Sequence, residues 1–242
     1  MMSKYPKRLA TLAALCAVLA APAPALAGYI WNEKGLTGAG DGLASAQITI
    51  ESGYNSLSQI HGMLTSSTAV NGDTLYQVDL YQIRIDNPGS FSAWTTLSSA
   101  FDTQLFLFNA TGMGVYSNDD DGVGLTSLLP AGDPGNLLAA GLYYLAIAFG
   151  GFSALDGASQ SVFSAGAFTD LLTAAPGSGA LNGWMPGFAA GTESAYSYDI
   201  FLTGATNAAI PEPASLALVL LAGLGACVKG RRQPRQLKEL QS

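Results

Sequence analysis

Charged residues are scarce in this chain: Asp, Glu, Lys and Arg make up 11% of its 242 residues, where an ordinary globular domain carries roughly 25%. With 49% of the residues hydrophobic, this composition argues against intrinsic disorder, a coiled coil and a nucleic-acid-binding domain alike. Cysteine occurs twice, as Cys16 and Cys227, too few for a disulfide framework. Histidine occurs once, as His61, which leaves little material for a zinc site or for the commonest general base. Catalytic signatures are missing as well. The chain contains no Gly-x-Ser-x-Gly, His-Glu-x-x-His or Walker loop, and Gly38-Ala39-Gly40-Asp41-Gly42 has no helix after it to make a dinucleotide site. His61 falls inside an alternating segment and reads as a hydrogen-bonded sheet residue. The sequence therefore predicts a protein that is not an enzyme.

Basic residues are rarer still in the middle of the chain. Lys4, Lys7 and Arg8 open it, Lys229, Arg231, Arg232, Arg235 and Lys238 close it, and only Lys34 and Arg84 lie between. Residues 28 to 209 set fifteen acidic side chains against those two bases, a formal charge of −13. Such a body repels nucleic acid and anionic lipid, stays soluble, and favours divalent cations as screening partners.

The two ends read as targeting segments. Lys4-Tyr5-Pro6-Lys7-Arg8 is followed by an apolar stretch from Leu9 to Ala21 and then by Ala25-Leu26-Ala27, the order of a signal peptide with cleavage between Ala27 and Gly28. Cys16 lies in the apolar stretch after Leu15 rather than after a small residue, so it does not mark a lipoprotein. Near the other end, Pro211-Glu212-Pro213 precedes an apolar run from Ala214 to Val228, and Lys229-Gly230-Arg231-Arg232 follows. That run would be about 22 Å long as a helix, shorter than a hydrocarbon core of roughly 30 Å, so spanning needs its apolar neighbours and snorkelling basic flanks. The basic cluster should stay cytoplasmic and leave residues 28 to 209 outside. The expected organisation is a signal peptide at 1–27, an extracytoplasmic domain at 28–209, a membrane-targeting segment at 210–235 and a cytoplasmic tail at 236–242. Loss of both ends would leave a body without cysteine.

Within the body, Val78 to Ile85, Thr103 to Phe108 and Leu142 to Phe149 have the clearest strand character. Ala46 to Ile50, Ser58 to Leu64, Phe91 to Leu97, Gly114 to Ser117 and Tyr196 to Thr203 are further candidates. Asn71-Gly72, Asn87-Pro88-Gly89, Ala110-Thr111-Gly112, Asp133-Pro134-Gly135 and Ala175-Pro176-Gly177 read as turns. About eight short strands without amphipathic helices predict an all-β, antiparallel sandwich. Leu105 to Phe108 is apolar toward both faces and therefore needs cover on two sides. Residues 151 to 195, rich in Gly, Ala and Ser, read as long loops. Asn118-Asp119-Asp120-Asp121-Gly122 is the densest acidic cluster. Carboxylate and amide oxygens are what calcium asks for, but the EF-hand glutamate is absent, since its position falls on Leu129. A calcium site would have to recruit a distant carboxylate, and Asp102 is the best offer. An ion-free Asx-type turn is the alternative. The three tryptophans read mainly as core, with Trp184, between Gly183 and Met185-Pro186-Gly187, the one most suited to stack on a sugar ring.

The tail, with Pro211-Glu212-Pro213, a short glycine-containing apolar segment and Arg231-Arg232, resembles the PEP-CTERM sorting signal of Gram-negative exosortase systems. The resemblance implies transient insertion in the inner membrane after passage through the secretory translocon, recognition by an exosortase, and removal near the motif. The body, through Asp79-Leu80-Tyr81, Phe101-Asp102-Thr103-Gln104-Leu105-Phe106-Leu107-Phe108, Asn118-Asp119-Asp120 and Gly141-Leu142-Tyr143-Tyr144-Leu145 among others, looks like a family of exosortase-sorted exoproteins similar to the bacterial pre-peptidase C-terminal domain. That resemblance implies a jelly-roll-like sandwich, and in some members calcium binding. Asn109 stands where the family pattern has aspartate. The resulting expectation is a non-catalytic protein of the cell surface or extracellular matrix, associated with exopolysaccharide. A calcium-dependent carbohydrate-binding module is the alternative, and a secreted hydrolase a third.

Overall fold

Segments rich in Val, Ile, Tyr and Phe, cut by Gly, Asn and Pro, pair into strands whose alternate residues face a shared core. The computed structural model describes residues 28–35, 38–50, 56–68, 74–96, 101–187 and 195–208, all within the compact unit Met1–Ala208. Ala25 and Ala27 of the expected cleavage site, the Asn71-Gly72 turn, and the tail with Pro211, Glu212, Pro213, Arg231 and Arg232 lie outside the described residues. Among the described residues no helix is long and apolar enough to cross a membrane.

In chain order the strands are β1 (Tyr29–Asn32), β2 (Gln47–Ile48), β3 (Leu57–Thr68), β4 (Thr74–Tyr76), β5 (Asp79–Ile85), β6 (Ser92–Trp94), β7 (Thr103–Asn109) and β8 (Gly114–Asn118). They continue as β9 (Leu128–Leu129), β10 (Gly141–Phe149), β11 (Ser153–Asp156), β12 (Leu172–Thr173), β13 (Leu181–Met185), β14 (Ala195–Thr203) and β15 (Ala205–Asn207). The protein is all-β. One sheet has the order β1-β3-β14-β6-β9 with β4 beside β3, and a second the order β12-β8-β7-β10-β5-β15 with β2 beside β5. A third consists of β11 and β13 alone. Among the described residues, pairing is antiparallel except for β1 with β3 and β2 with β5, a departure from the antiparallel arrangement expected.

All eight expected strands form, although Ala46 to Ile50 pairs only over Gln47–Ile48 and Phe91 to Leu97 only over Ser92–Trp94. The additional strands are mostly of two to five residues, too short for alternation to be read in the sequence. The segment expected as long loops at 151 to 195 instead contains β11, β12 and β13, and Trp184 lies in β13 rather than in a loop. What organises this segment is the sheet beneath it. Every residue of β7 from Thr103 to Phe108 is buried. Leu105 and Leu107 lie opposite Ile147 and Leu145 of β10 and share the face of Tyr81, which reaches across to β14 of the other large sheet. Phe106 and Phe108 point the other way. Their rings meet Phe163 at 5.8 and 5.5 Å and Trp184 at 5.1 and 6.0 Å between centroids. The segment from 152 to 185 is thus the second cover that the two-faced strand demands.

The core between the large sheets contains an ionisable side chain, that of Asp79. Asp79 is 1% exposed; its Oδ1 accepts the Ala39 N–H at 2.8 Å and its Oδ2 the Tyr198 hydroxyl at 2.7 Å. Tyr198 and Tyr81 hydroxyls lie 2.6 Å apart, joining the two sheets. Gly38 has φ +82°, and a Cβ there would lie 2.7 Å from Asp79 Oδ1, so glycine is what lets the Ala39 amide reach the carboxylate. Burial, reinforced by the charge of Glu33, pushes the Asp79 carboxyl up to about 7.

Because that value lies above the ordinary 3.8, the folded chain keeps a proton here that the unfolded chain has already released between about pH 4 and 7. The stabilisation is complete below that window, fades as pH rises through it, and is gone above. It amounts to a few kcal/mol. Asp79→Asn, which keeps the shape of the neutral acid, should raise the thermal midpoint at pH 8 and leave it nearly unchanged at pH 4. Thermal melts of both proteins across this range check it, and parallel pH profiles would refute it.

Candidate metal centre

The antiparallel ladder brings distant acids together. Leu105 lies opposite Asn118 and Phe106 opposite Ser117, so the residues that follow β8 come alongside those that lead into β7. On the other flank Phe149 lies opposite Thr103, and the Gly150 N–H donates to the Asp102 carbonyl at 3.2 Å. A Cβ on Gly150 would stand 2.5 Å from the Asp102 carboxylate; only glycine allows that approach. Asp102, Asp119 and Asp120 each offer an oxygen, and these atoms all lie within 4.8 Å of one another. With Gly150, Gly151 and Phe168 they line a cavity of about 240 Å³. Its lip is Phe168, 62% exposed, whose carbonyl accepts the Asp120 N–H at 2.9 Å.

Asp119 is only 6% exposed. Its Oδ2 accepts the Gly151 N–H at 2.9 Å, but its Oδ1, together with Oδ1 of Asp102 and of Asp120, is buried with no hydrogen-bond partner. The two bases of the body serve elsewhere: Lys34 lies over the Trp31 ring at 4.2 Å, and Arg84 bonds Asp86 at 2.6 Å. Burial pushes the Asp119 carboxyl up to about 7, with the charges of Asp102 and Asp120 adding to it against the Gly151 hydrogen bond. Burial and then the Asp120 charge push Asp102 up to about 6.

This donor set fits a hard cation. Oxygens that bind one calcium ion at about 2.4 Å cannot be more than about 4.8 Å apart, and the three carboxylates meet that limit. They offer no nitrogen or sulfur, the ligands of structural zinc sites.

Of the expected calcium residues, Asp102, Asp119 and Asp120 converge, whereas Asn118 and Asp121 are engaged in building the loop. Asn118 Nδ2 donates to the carbonyls of Asp120 and Asp170 at 2.9 and 3.2 Å, while its Oδ1 accepts the Leu128 N–H at 2.8 Å. Asp121 accepts from the Val123 N–H at 2.7 Å and the Thr126 hydroxyl at 2.8 Å. Asn109, at the other end of β7, closes the hairpin by accepting from Thr111 and Met113. It stands about 20 Å along the strand from the acidic cluster. Trp184 is half-buried, its indole N–H donating to the Asp41 carbonyl at 2.7 Å and its ring packed on Phe106 and Phe108. His61 Nδ1 lies 2.8 Å from Asp199 Oδ1 on the outer face of β3 and β14, the sheet role expected of it. Sequence reasoning missed Gly150, Gly151 and Phe168. The Gly150-Gly151 pair directly after a strand was the one available signal. No family model, no curated protein and no solved structure matches the chain.

With chelator present, Asp119→Asn removes a like charge while its amide can donate to the neighbouring carboxylates. The thermal midpoint should therefore rise by a few degrees at pH 8 and change little near pH 4, where the Asp119 carboxyl, pushed up to about 7, is protonated in the folded chain. A lower midpoint at pH 8 would contradict the unpaired state of this carboxylate.

Proposed function

We propose that the chain is the precursor of an exported, non-catalytic surface or matrix protein whose sandwich body binds calcium through Asp102, Asp119 and Asp120. The observation that carries the calcium reading is the buried, unpartnered Asp119 Oδ1 in a cluster of three carboxylates, each of which has an oxygen without a hydrogen-bond partner. Calcium there would offset two of the three carboxylate charges and tie the start of β7, the loop after β8 and the end of β10 together. Extracellular modules bind this ion at about 10⁻⁴ to 10⁻³ M, an affinity suited to a few carboxylates near the surface.

Export rests on the signal-like N-terminus ending at Ala27, and sorting on the Pro211-Glu212-Pro213, apolar and Arg231-Arg232 series of the tail. In this reading the partners are the secretory translocon, an exosortase and, after release, exopolysaccharide. A jelly-roll-like relation to the pre-peptidase C-terminal domain is consistent with two large sheets that face each other across one core. Converging carboxylates are also what a hydrolase would need. Glycosidases, however, hold two carboxyl groups about 5 to 9.5 Å apart with the scissile bond between them. Three acids whose oxygens are mutually within 4.8 Å suit a shared cation better.

Two measurements test the two halves. Millimolar calcium should raise the thermal midpoint of the full chain, EGTA should reverse the shift, and Asp119→Asn should abolish it; an unchanged melting curve would sink the calcium reading. Intact mass of the protein recovered from its host should give a species that starts at Gly28, ends near Pro211 and is found in envelope or medium. A species retaining residues 214 to 242 in the inner membrane would make the tail a plain anchor.

A further inference from the structure

A second cavity adjoins the acidic cluster. It has a volume of about 330 Å³ and lies between the outer face of the seven-stranded sheet and the covering segment. Gln104 and Phe106 of β7, Ser117 of β8 and Asp119 line it on the sheet side, and Phe163 and Phe168 on the other. Phe106 and Ser117 are register partners, and Gln104 lies two residues before Phe106, so these side chains emerge from one face. Gln104 Oε1, Ser117 Oγ and Asp119 Oδ1 are all buried without a hydrogen-bond partner; Ser117 is 0% and Gln104 5% exposed. Left unpaired, each such group carries an uncompensated desolvation penalty. Three of them in one cavity, with phenyl rings across from them, is the composition of a ligand site, in which a few placed polar groups orient a molecule held by apolar walls.

We propose that this cavity binds a single hydroxylated ring of sugar size, held through Gln104, Ser117 and Asp119 and packed against Phe163 and Phe168. The volume is at the low end of the roughly 300 to 1,000 Å³ of small-molecule sites, so one ring is favoured over a chain. An apolar guest would leave all three polar atoms unpaired. An anion would meet the Asp119 carboxylate. Hydroxyls both donate and accept, as Ser117 does, whereas an ammonium group only donates. The apolar edge of a sugar ring matches the aromatic wall. The inference rests on the reading of the protein as non-catalytic, but not on the ion, since Gln104 and Ser117, unlike Asp119, are outside the acidic cluster.

The test is titration of the full chain with free glucose, galactose and mannose, followed by calorimetry and saturation-transfer NMR. Choline and benzene serve as controls, and each series is run in calcium and again in EGTA. At least one hexose should bind in preference to both controls. Ser117→Ala should weaken that binding about tenfold, equal to about 1.4 kcal/mol, while leaving the thermal midpoint equal or higher, because it removes a buried unpaired hydroxyl. A structural role alone would lower the midpoint and spare the affinity. Ala165→Leu, which narrows the cavity from the covering side, should abolish binding without unfolding the chain. Absence of hexose binding in both series, preference for choline or benzene, or affinity indifferent to both substitutions would overturn the proposal. Hexose binding in EGTA by a chain that ignores calcium would keep the cavity and reject the ion; calcium binding without hexose binding would do the reverse.

Discussion

Phe106 and Phe108 leave the seven-stranded sheet on the side away from its main core, and water would meet both rings there if nothing covered them. Each aromatic ring can bury some 150 to 250 Å², several kcal/mol at about 25 cal/mol per Å². Phe163 and Trp184 provide the cover, and with them the β11 and β13 pair is laid over the sheet. Most other features of interest are consequences of that added layer. It turns an outer sheet face into an interior one, buries Ser117 and Gln104 beneath it, and ends at Phe168 beside the acids that flank β7 and β8. The fold could not keep β7 apolar on both sides without also creating a partly polar interior at the strand's N-terminal end.

Two groups of buried carboxylates show how differently that interior is treated. Asp79 has an amide and a phenol for its two oxygens, and the phenol is bonded onward to a second one; its polar atoms are satisfied and the network joins the large sheets. Asp119 has one amide, from Gly151, and an oxygen with nothing. Both carboxyls are pushed to about 7, chiefly by burial, yet the first is a closed network and the second an open one. Closing the second requires a proton, a cation or a ligand donor. Neither base of the body can serve, since Lys34 and Arg84 are held elsewhere.

Much of this was legible in the sequence, for physical reasons that also explain where reading stopped. The three strongest strands combine β-branched or aromatic residues with sharp punctuation, and β5, β7 and β10 lie side by side in the second sheet. The two-sided apolar run in β7 announced the covering layer, although not its location. Asp102 and the 118–121 loop could be linked because an antiparallel hairpin returns to its start. Which of those acids converge was not readable, since Asn118 and Asp121 differ from their neighbours only in where β8 ends and the loop begins to hydrogen-bond to itself. The segment 151 to 195 reads as loops, and β11, β12 and β13 within it escape notice, because small side chains carry no alternation. These strands are imposed by the rings they cover, a tertiary influence with no local signature.

The acidic cluster and the larger cavity share Asp119, Gly151 and Phe168, and this limits how independent they can be. A carboxylate has two oxygens, and one of Asp119's is already engaged by Gly151. A cation and a ligand hydroxyl would both draw on the oxygen that remains. If the ion takes it, a hydroxyl in the cavity can reach the ion itself or lose that contact, so the ion either strengthens or weakens the ligand. By thermodynamic reciprocity the ligand must change the ion's affinity by the same factor. Shared walls of this kind convert two neighbouring sites into one coupled device whether or not any backbone moves. The sign of the coupling depends on a single oxygen atom.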